Sequence, residues 1–123
     1  MNIGAYQAKR YGPQPCWELV ADVLARECAG IAVEYIPAQR TIRQMAEAFR
    51  LALHTSPHGF LRAERARDFD VVLMGRNAHI GIHHCGIWYG GRVLHAEPGA
   101  TLYEELTALQ ARYPIMEFWT HAD

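Results

Sequence analysis

The chain has 123 residues, which is long enough for one domain with a single hydrophobic core, so we assign residues 1–123 to one domain. Half of the residues are hydrophobic, 20% are charged, and the formal net charge is -1. This near-neutral balance argues against a nucleic-acid partner, because phosphate binders usually carry a basic face. No apolar run approaches the roughly 18 residues of a membrane-spanning helix, so membrane insertion is not expected.

The N-terminal residues and the cysteines indicate the compartment. Residues 1–6 lack the apolar stretch of a signal peptide, which predicts that the protein stays in the cytoplasm of the producing cell unless a virion or a secretion system carries it to a cell wall. The three cysteines, Cys16, Cys28 and Cys85, form an odd set without a C-x-x-C pair. Neither a disulfide framework nor a zinc ribbon is therefore expected.

The first half of the chain predicts two helices. Apolar residues recur at helical spacing over 16–27, after a rigid lead-in that contains two prolines. Residues 31–36 are apolar and are predicted to be extended. A second apolar stripe predicts a helix over 41–54, where Thr41 followed by Gln44 resembles a capping box.

The second half of the chain predicts an antiparallel sheet. Residues 84–89 and 92–96 flank two consecutive glycines, which is a strong signal for a two-residue hairpin. The other predicted segments are a loop or short helix at 60–68, strands at 71–74 and 115–119, and an amphipathic helix at 101–112. Helices that precede a sheet predict an α+β fold, with the N-terminal helices packed on a small antiparallel β-sheet.

Cys16 stands at the start of the first long predicted helix, a position that suits a nucleophile. The unpaired N–H groups of a helix start carry partial positive charge, which favours the reactive thiolate. The same N–H groups can stabilise an oxyanion on a substrate carbonyl. A buried structural cysteine is the alternative, since free cysteines are often core residues.

The predicted hairpin offers a base for this cysteine. Side chains alternate along a strand, so His84 and Gly86 share a face, and the two-glycine turn sets Gly86 opposite His95. His84 and His95 can therefore meet on one face of the sheet, one as general base and the other as its orienting group. Gly86 leaves room there for a side chain from the helix. An ordinary hairpin with surface histidines is the alternative.

The remaining histidines offer two further alternatives. His79 is a competing base, because the His-Ile-Gly-Ile that begins there echoes the His-Cys-Gly-Ile that begins at His84, whereas His83 points to the opposite face of its strand. A metal site is another use for clustered histidines, and the candidate ligands are His79, His83, His84 and His95. No H-E-x-x-H motif is present, and Glu97 is the nearest carboxylate, which argues against a metal site.

Several segments resemble motifs of the NlpC-type (p-sixty) cell-wall endopeptidases, in that family's order, and the closest branch is the one associated with phage tail tips. Cys-Trp-Glu-Leu-Val from Cys16 resembles the nucleophile helix, although Pro15 and Glu18 replace the usual Asp and Gly. His-Cys-Gly-Ile-Trp-Tyr from His84 resembles the family's His-x-Gly-Ile-Tyr strand. Leu-His-Ala around His95 resembles its closing motif. Residues 70–74 and 113–119 resemble two further strands of the family.

The resemblance implies a papain-like α+β fold and a cysteine peptidase. Cys16 would be the nucleophile, His84 the general base, and His95 the third polar residue that orients the imidazole. Tyr11 and Trp17 would contact the substrate, Tyr11 as the match to a family tyrosine that polarises the scissile carbonyl. Family members cleave peptide bonds in peptidoglycan stems, typically between D-glutamate and diaminopimelate or lysine, and no metal or organic cofactor is implied.

The leading expectation is therefore an enzyme that hydrolyses peptidoglycan stem peptides, carried as a phage or prophage tail component and in contact with tail proteins. The alternative is a tail-assembly or structural protein of the same fold with weak or no activity, which Glu18 beside the nucleophile favours. A third reading is a secreted antibacterial amidase, which shares the chemistry and differs only in its delivery.

Overall fold

The computed structural model describes residues 1–28, 30–37 and 39–121 of the chain, and these residues form four helices and six strands. The helices are α1 (Ile3–Gln7), α2 (Pro15–Glu27), α3 (Ile42–His54) and α4 (Leu106–Arg112). The strands are β1 (Leu61–Ala63), β2 (Val71–Gly75), β3 (Ile82–Tyr89), β4 (Arg92–Glu97), β5 (Ala100–Glu105) and β6 (Ile115–Thr120). None of the helices in these ranges combines the length and the apolar character that crossing a membrane requires.

The two long helices, α2 and α3, confirm the predictions made from apolar periodicity and capping. Pro15 occupies the first turn of α2, where its missing N–H removes no helical hydrogen bond. At the start of α3, the Thr41 hydroxyl accepts a hydrogen bond from the Gln44 N–H at 3.1 Å. The short helix α1 was not predicted, and it begins where the Asn2 side chain accepts a hydrogen bond from the Ala5 N–H.

The six strands form one antiparallel sheet in the order β1-β6-β2-β3-β4-β5. Strands β3 and β4 form the predicted hairpin, in which Tyr89 pairs with Arg92. The turn residues Gly90 and Gly91 have φ angles of 59° and 79°. Both angles lie in the left-handed region that a two-residue hairpin requires, and glycine enters this region without steric strain.

Alternating residues of the central strand β2 separate two hydrophobic clusters. Val71 and Leu73 pack with residues of α1, α2 and α3 in the larger cluster. Val72 and Met74 pack with Leu109 of α4 in the smaller cluster. The N-terminal helices therefore cover one face of the sheet and α4 lies against the other face, which confirms the predicted α+β class.

Residues 101–105 belong to strand β5 and residues 106–112 form α4, whereas we predicted one helix over 101–112. Strand β5 pairs along its whole length with β4, from Ala100 opposite Glu97 to Glu105 opposite Arg92. Hydrogen bonding to the edge of the sheet overrides the helical pattern in this half of the segment, and only α4 is helical.

Two other predicted segments also differ from the structure. Residues 60–68 contain the short strand β1, which pairs with β6, rather than a helix. Residues 31–36, which we predicted to be extended, belong to no helix or strand.

Candidate active site

Cys16 lies in the first turn of α2, where this helix packs on β3 and β4. Its side chain is nearly covered, with 7% of the residue exposed. Glu18, in the same turn, holds the loop that leads to the helix. Its carboxylate accepts hydrogen bonds from the N–H groups of Gly12 at 2.9 Å and Gln14 at 2.7 Å. The residue that departs from the family pattern therefore shapes the chain just before Cys16.

The neighbours of Cys16 favour its thiolate form. A hydrogen bond with the Cys85 thiol lowers the pKa of Cys16, burial opposes this effect, and the hydrogen bond and charge of His84 lower the pKa further, to about 5. Burial and the nearby Cys16 raise the pKa of Cys85 well above its usual value, so Cys85 stays a thiol and donates the hydrogen bond. The lowered pKa of Cys16 favours its thiolate at neutral pH.

His84 and His95 share a buried hydrogen bond. The Nε2 atom of His84 and the Nδ1 atom of His95 are 2.8 Å apart, and the two rings meet edge to face with centroids 5.0 Å apart. Because Nε2 of His84 is engaged, Nδ1 is the ring nitrogen left for the hydrogen bond with Cys16. The His84 ring also stacks on Tyr113, with centroids 5.3 Å apart. The fold thus brings together Cys16, His84 and His95, the three residues that we selected from the sequence.

Cys16, His84 and His95 form a row of interacting side chains. A carboxylate that we did not select extends this row. The Oε2 atom of Glu104 lies 2.6 Å from Nε2 of His95, and Arg112 donates to both Glu104 oxygens, at 3.1 Å and 2.7 Å. The Arg112 hydrogen bonds lower the pKa of Glu104 to about 2, with burial opposing and His95 adding to the effect. Glu104 was hidden within the helix predicted over 101–112. A strand prediction there would have placed it on the His95 face, because β5 runs beside β4.

The two competing histidines have other surroundings. His79 is exposed on the turn that precedes β3. His83 is half-buried and faces Tyr113, with ring centroids 5.6 Å apart. Burial and the charge of His84 lower the pKa of His83. His84 is the histidine whose interactions lower the pKa of Cys16, which favours His84 over His79 as the base.

Tyr11, the first of the two residues predicted to contact substrate, is half-buried at the edge of a cleft. Its hydroxyl donates a hydrogen bond to Asp22 at 2.8 Å. This hydroxyl is therefore already bound to a carboxylate of α2.

Trp17, the second of these residues, lies in the hydrophobic core. Only 1% of it is exposed, its ring stacks on Phe49 with centroids 5.4 Å apart, and its Nε1–H donates to the Glu34 carbonyl at 2.8 Å. The predicted contact between Trp17 and substrate is therefore corrected, because a covered indole with a satisfied N–H has no surface to offer a ligand.

Two clefts border the site. The larger, about 760 Å³, runs past Pro15, which precedes Cys16, and past Ala96. The smaller, about 450 Å³, has His84 in its wall, beside Arg76. One cleft is therefore lined by the residue before Cys16 and the other by His84.

One group near the site has the composition of a metal site. The ligand atoms of His84, His95 and Glu97 lie within 4.8 Å of one another. The facing nitrogens of the two histidines are, however, those joined by the 2.8 Å hydrogen bond, and the Arg112 guanidinium lies 3.7 Å from the Glu97 carboxylate. A metal ion would have to break this hydrogen bond and compete with a cation. The arrangement therefore fits a shared proton better than a metal ion.

Comparison with protein-family models, with curated proteins and with solved structures finds no match for this chain. Fold and site by themselves define an α+β protein that carries a cysteine at a helix start beside two hydrogen-bonded histidines. The resemblance to the NlpC-type endopeptidases remains a hypothesis that rests on the motifs of the sequence.

Proposed function

We propose that the protein is a papain-like cysteine peptidase of the NlpC type that hydrolyses amide bonds in peptidoglycan stem peptides, between D-glutamate and diaminopimelate or lysine. The observation that carries this proposal is the row of Cys16, His84 and His95, in which the His84 and His95 imidazoles are hydrogen-bonded at 2.8 Å and His84 adds to the lowering of the Cys16 pKa to about 5. A nucleophile, a base and an orienting group are the parts that this chemistry needs.

The first half of the reaction forms a thioester. The Cys16 thiolate attacks the scissile carbonyl carbon, and the negative charge moves to the carbonyl oxygen. The first-turn N–H groups of Cys16 and Trp17 have no partner within a helix, so they can stabilise this oxyanion. The C–N bond then breaks while the His84 imidazolium gives its Nδ1 proton to the leaving amine.

The second half of the reaction regenerates the site. Neutral His84 takes a proton from water at Nδ1, and the resulting hydroxide attacks the thioester carbonyl. The C–S bond breaks, Cys16 leaves as a thiolate, and His84 again carries two protons, one of them shared with His95. The sum of the two halves is the hydrolysis of one amide to an acid and an amine.

The substrate class is supported by the serial motifs and by the charge of the larger cleft. Lys9, Arg10 and Glu97 line this cleft, and Lys9 is paired with Asp22 at 2.7 Å. The Arg10 guanidinium is the cation that suits a free carboxylate of a stem peptide. Access to peptidoglycan would come from carriage on a phage or prophage tail, or from a secretion system, and tail proteins would then be the partners.

The proposal is tested with purified muropeptides and mass spectrometry of the products. We expect the wild-type protein to split the stem peptide and Cys16→Ala to reduce cleavage to background. Cys28→Ala is the matched control, because Cys28 follows the last turn of the same helix, and it should keep wild-type cleavage. If the wild-type protein cleaves no stem peptide while remaining folded, the enzyme proposal fails and a structural role in tail assembly is favoured.

A further inference from the structure

We propose that Glu104 and Arg112 are positioning residues that hold His95 in the tautomer with its proton on Nε2, and that His95 in turn keeps Nδ1 of His84 available to Cys16. This inference rests on the proposed function of the site and names the part of the protein that sets its proton arrangement.

The contacts determine where each proton lies. Arg112 donates to both oxygens of Glu104, and an ionised carboxylate accepts hydrogen bonds but cannot donate them. The contact of 2.6 Å between Glu104 Oε2 and His95 Nε2 therefore requires the proton on His95. Nδ1 of a neutral His95 is then a lone pair, which accepts the Nε2–H of His84 at 2.8 Å.

The charge state of His95 agrees with this proton arrangement. Burial, followed by the charge of His84, lowers the pKa of His95, although Glu104 acts in the opposite direction. The ring is fully buried, so it is not free to exchange its partners for water. A neutral imidazole between a carboxylate and a second imidazole has one tautomer that satisfies both contacts.

The opposite tautomer would disable the base. If His95 carried its proton on Nδ1, Nε2 of His84 would have to be the acceptor, and the single proton of a neutral His84 would lie on Nδ1. A protonated Nδ1 could no longer take a proton from water in the second half of the reaction. The charge of Arg112 therefore acts on the base through the two residues that lie between them in the row, Glu104 and His95.

The experiment compares Glu104→Gln with Glu105→Gln. Glu105 is the next residue of β5, is exposed, and pairs with Arg92 on the surface. Glu105→Gln therefore removes the same charge without touching His95. A glutamine at 104 can donate its amide N–H to His95 Nε2 and so stabilise the wrong tautomer. We measure the imidazole ¹⁵N shifts of His95, the pH profile of Cys16 alkylation by iodoacetamide, and kcat and KM on a muropeptide.

For Glu104→Gln we expect the His95 shifts to report a proton on Nδ1 and the midpoint of Cys16 alkylation to rise. We expect kcat to fall by about 10-fold to 100-fold with KM unchanged, below the roughly 10⁴-fold loss that a wrong histidine tautomer causes in a serine peptidase triad. Glu105→Gln should match the wild-type protein in all three measurements. Arg112→Lys, which keeps the cation, should retain most of the activity.

Wild-type ¹⁵N shifts and a wild-type alkylation profile in folded Glu104→Gln would overturn the inference and leave Glu104 and Arg112 as a structural ion pair between β5 and α4. If Glu104→Gln does not fold, Arg112→Gln tests the same point, because Arg112 is 44% exposed and its loss leaves the carboxylate in place. Both thiol and NMR measurements need no substrate. A wild-type protein that cleaves nothing would therefore refute the proposed function without deciding the role of Glu104.

Discussion

Gly86 lies against His95 so closely that no larger residue fits between strands β3 and β4. A Cβ built on Gly86 would lie 3.0 Å from the Cβ of His95 and 2.7 Å from the backbone oxygen of Leu94. Both distances are shorter than normal contacts, and the backbone atom cannot move aside without moving the strand. The absence of a side chain at Gly86 is therefore a condition for the placement of His95.

Gly86→Ala is expected to destabilise the protein by about 1–3 kcal/mol, as overpacking of a core usually does. It should also reduce amide hydrolysis, because β4 carries His95. Urea unfolding and the rate of muropeptide cleavage measure the two effects. Gly4→Ala is the control, since its new Cβ would meet only the Asn2 side chain at 3.5 Å within helix α1. A Gly86→Ala protein as stable as Gly4→Ala would contradict this explanation.

Alkylation of the cysteines should follow the order of their thiolate content. The pKa of Cys16 is lowered to about 5, so its thiolate is present above that pH and is lost as the pH falls through it. We expect the rate of Cys16 modification by iodoacetamide to be flat at neutral pH and to halve near pH 5. Cys85 should not react in the folded protein, because it is fully buried and its pKa is raised. Peptide mapping by mass spectrometry gives both rates, and a midpoint for Cys16 near that of a free cysteine would contradict the site geometry.

Glu18→Ala should loosen the loop before the nucleophile helix without abolishing the chemistry. The variant loses two hydrogen bonds, to the N–H groups of Gly12 and Gln14, and each is worth about 1 kcal/mol or less at this partly exposed position. Because Gly12 lines the larger cleft, KM should rise while kcat stays within about 3-fold of the wild-type value. Steady-state kinetics and limited proteolysis of the loop test this. Glu27→Ala, at the end of the same helix, serves as the control and should change neither.

Glu117 should contribute to stability only above acidic pH. Burial raises its pKa, but hydrogen bonds from Arg50 and Trp119 outweigh burial, so the net pKa is lowered. A group with a lowered folded-state pKa stabilises the protein above its unfolded pKa of about 4.3, and this contribution disappears as the pH falls through the folded-state value.

We therefore expect Glu117→Gln to lower the free energy of unfolding by about 1–3 kcal/mol at neutral pH, because it weakens a paired carboxylate that is 8% exposed. The difference from wild type should shrink below about pH 4. Urea unfolding at several pH values measures it. Glu47→Gln on the exposed side of α3 is the comparison, and an effect of Glu117→Gln that persists undiminished in acid would rule out the charge as its cause.

Several elements were predictable because their causes are local. Apolar spacing and a capping threonine are enough to place α2 and α3, since a helix is held by contacts between residues close in the chain. Two consecutive glycines set the hairpin register, and this register brings His84 and His95 to the same place on the sheet. Cys16 could be selected as a candidate nucleophile for the same reason, because a helix start is visible in the sequence.

The remaining features were decided by contacts between distant segments. The stretch 101–112 has a helical pattern, yet its first half is β5 because the edge of β4 offers backbone partners that the local pattern does not reveal. Glu104 therefore reaches His95 only in the folded sheet. We predicted that Trp17 contacts the substrate, but its packing on Phe49 makes it part of the core. The sequence alone determined α2, α3 and the β3–β4 hairpin, and it selected Cys16, His84 and His95 as candidate site residues, through short-range periodicity and turn chemistry. Only the tertiary structure decided which side chains are covered and which carboxylate completes the row, because burial and cross-strand pairing depend on residues far apart in the chain.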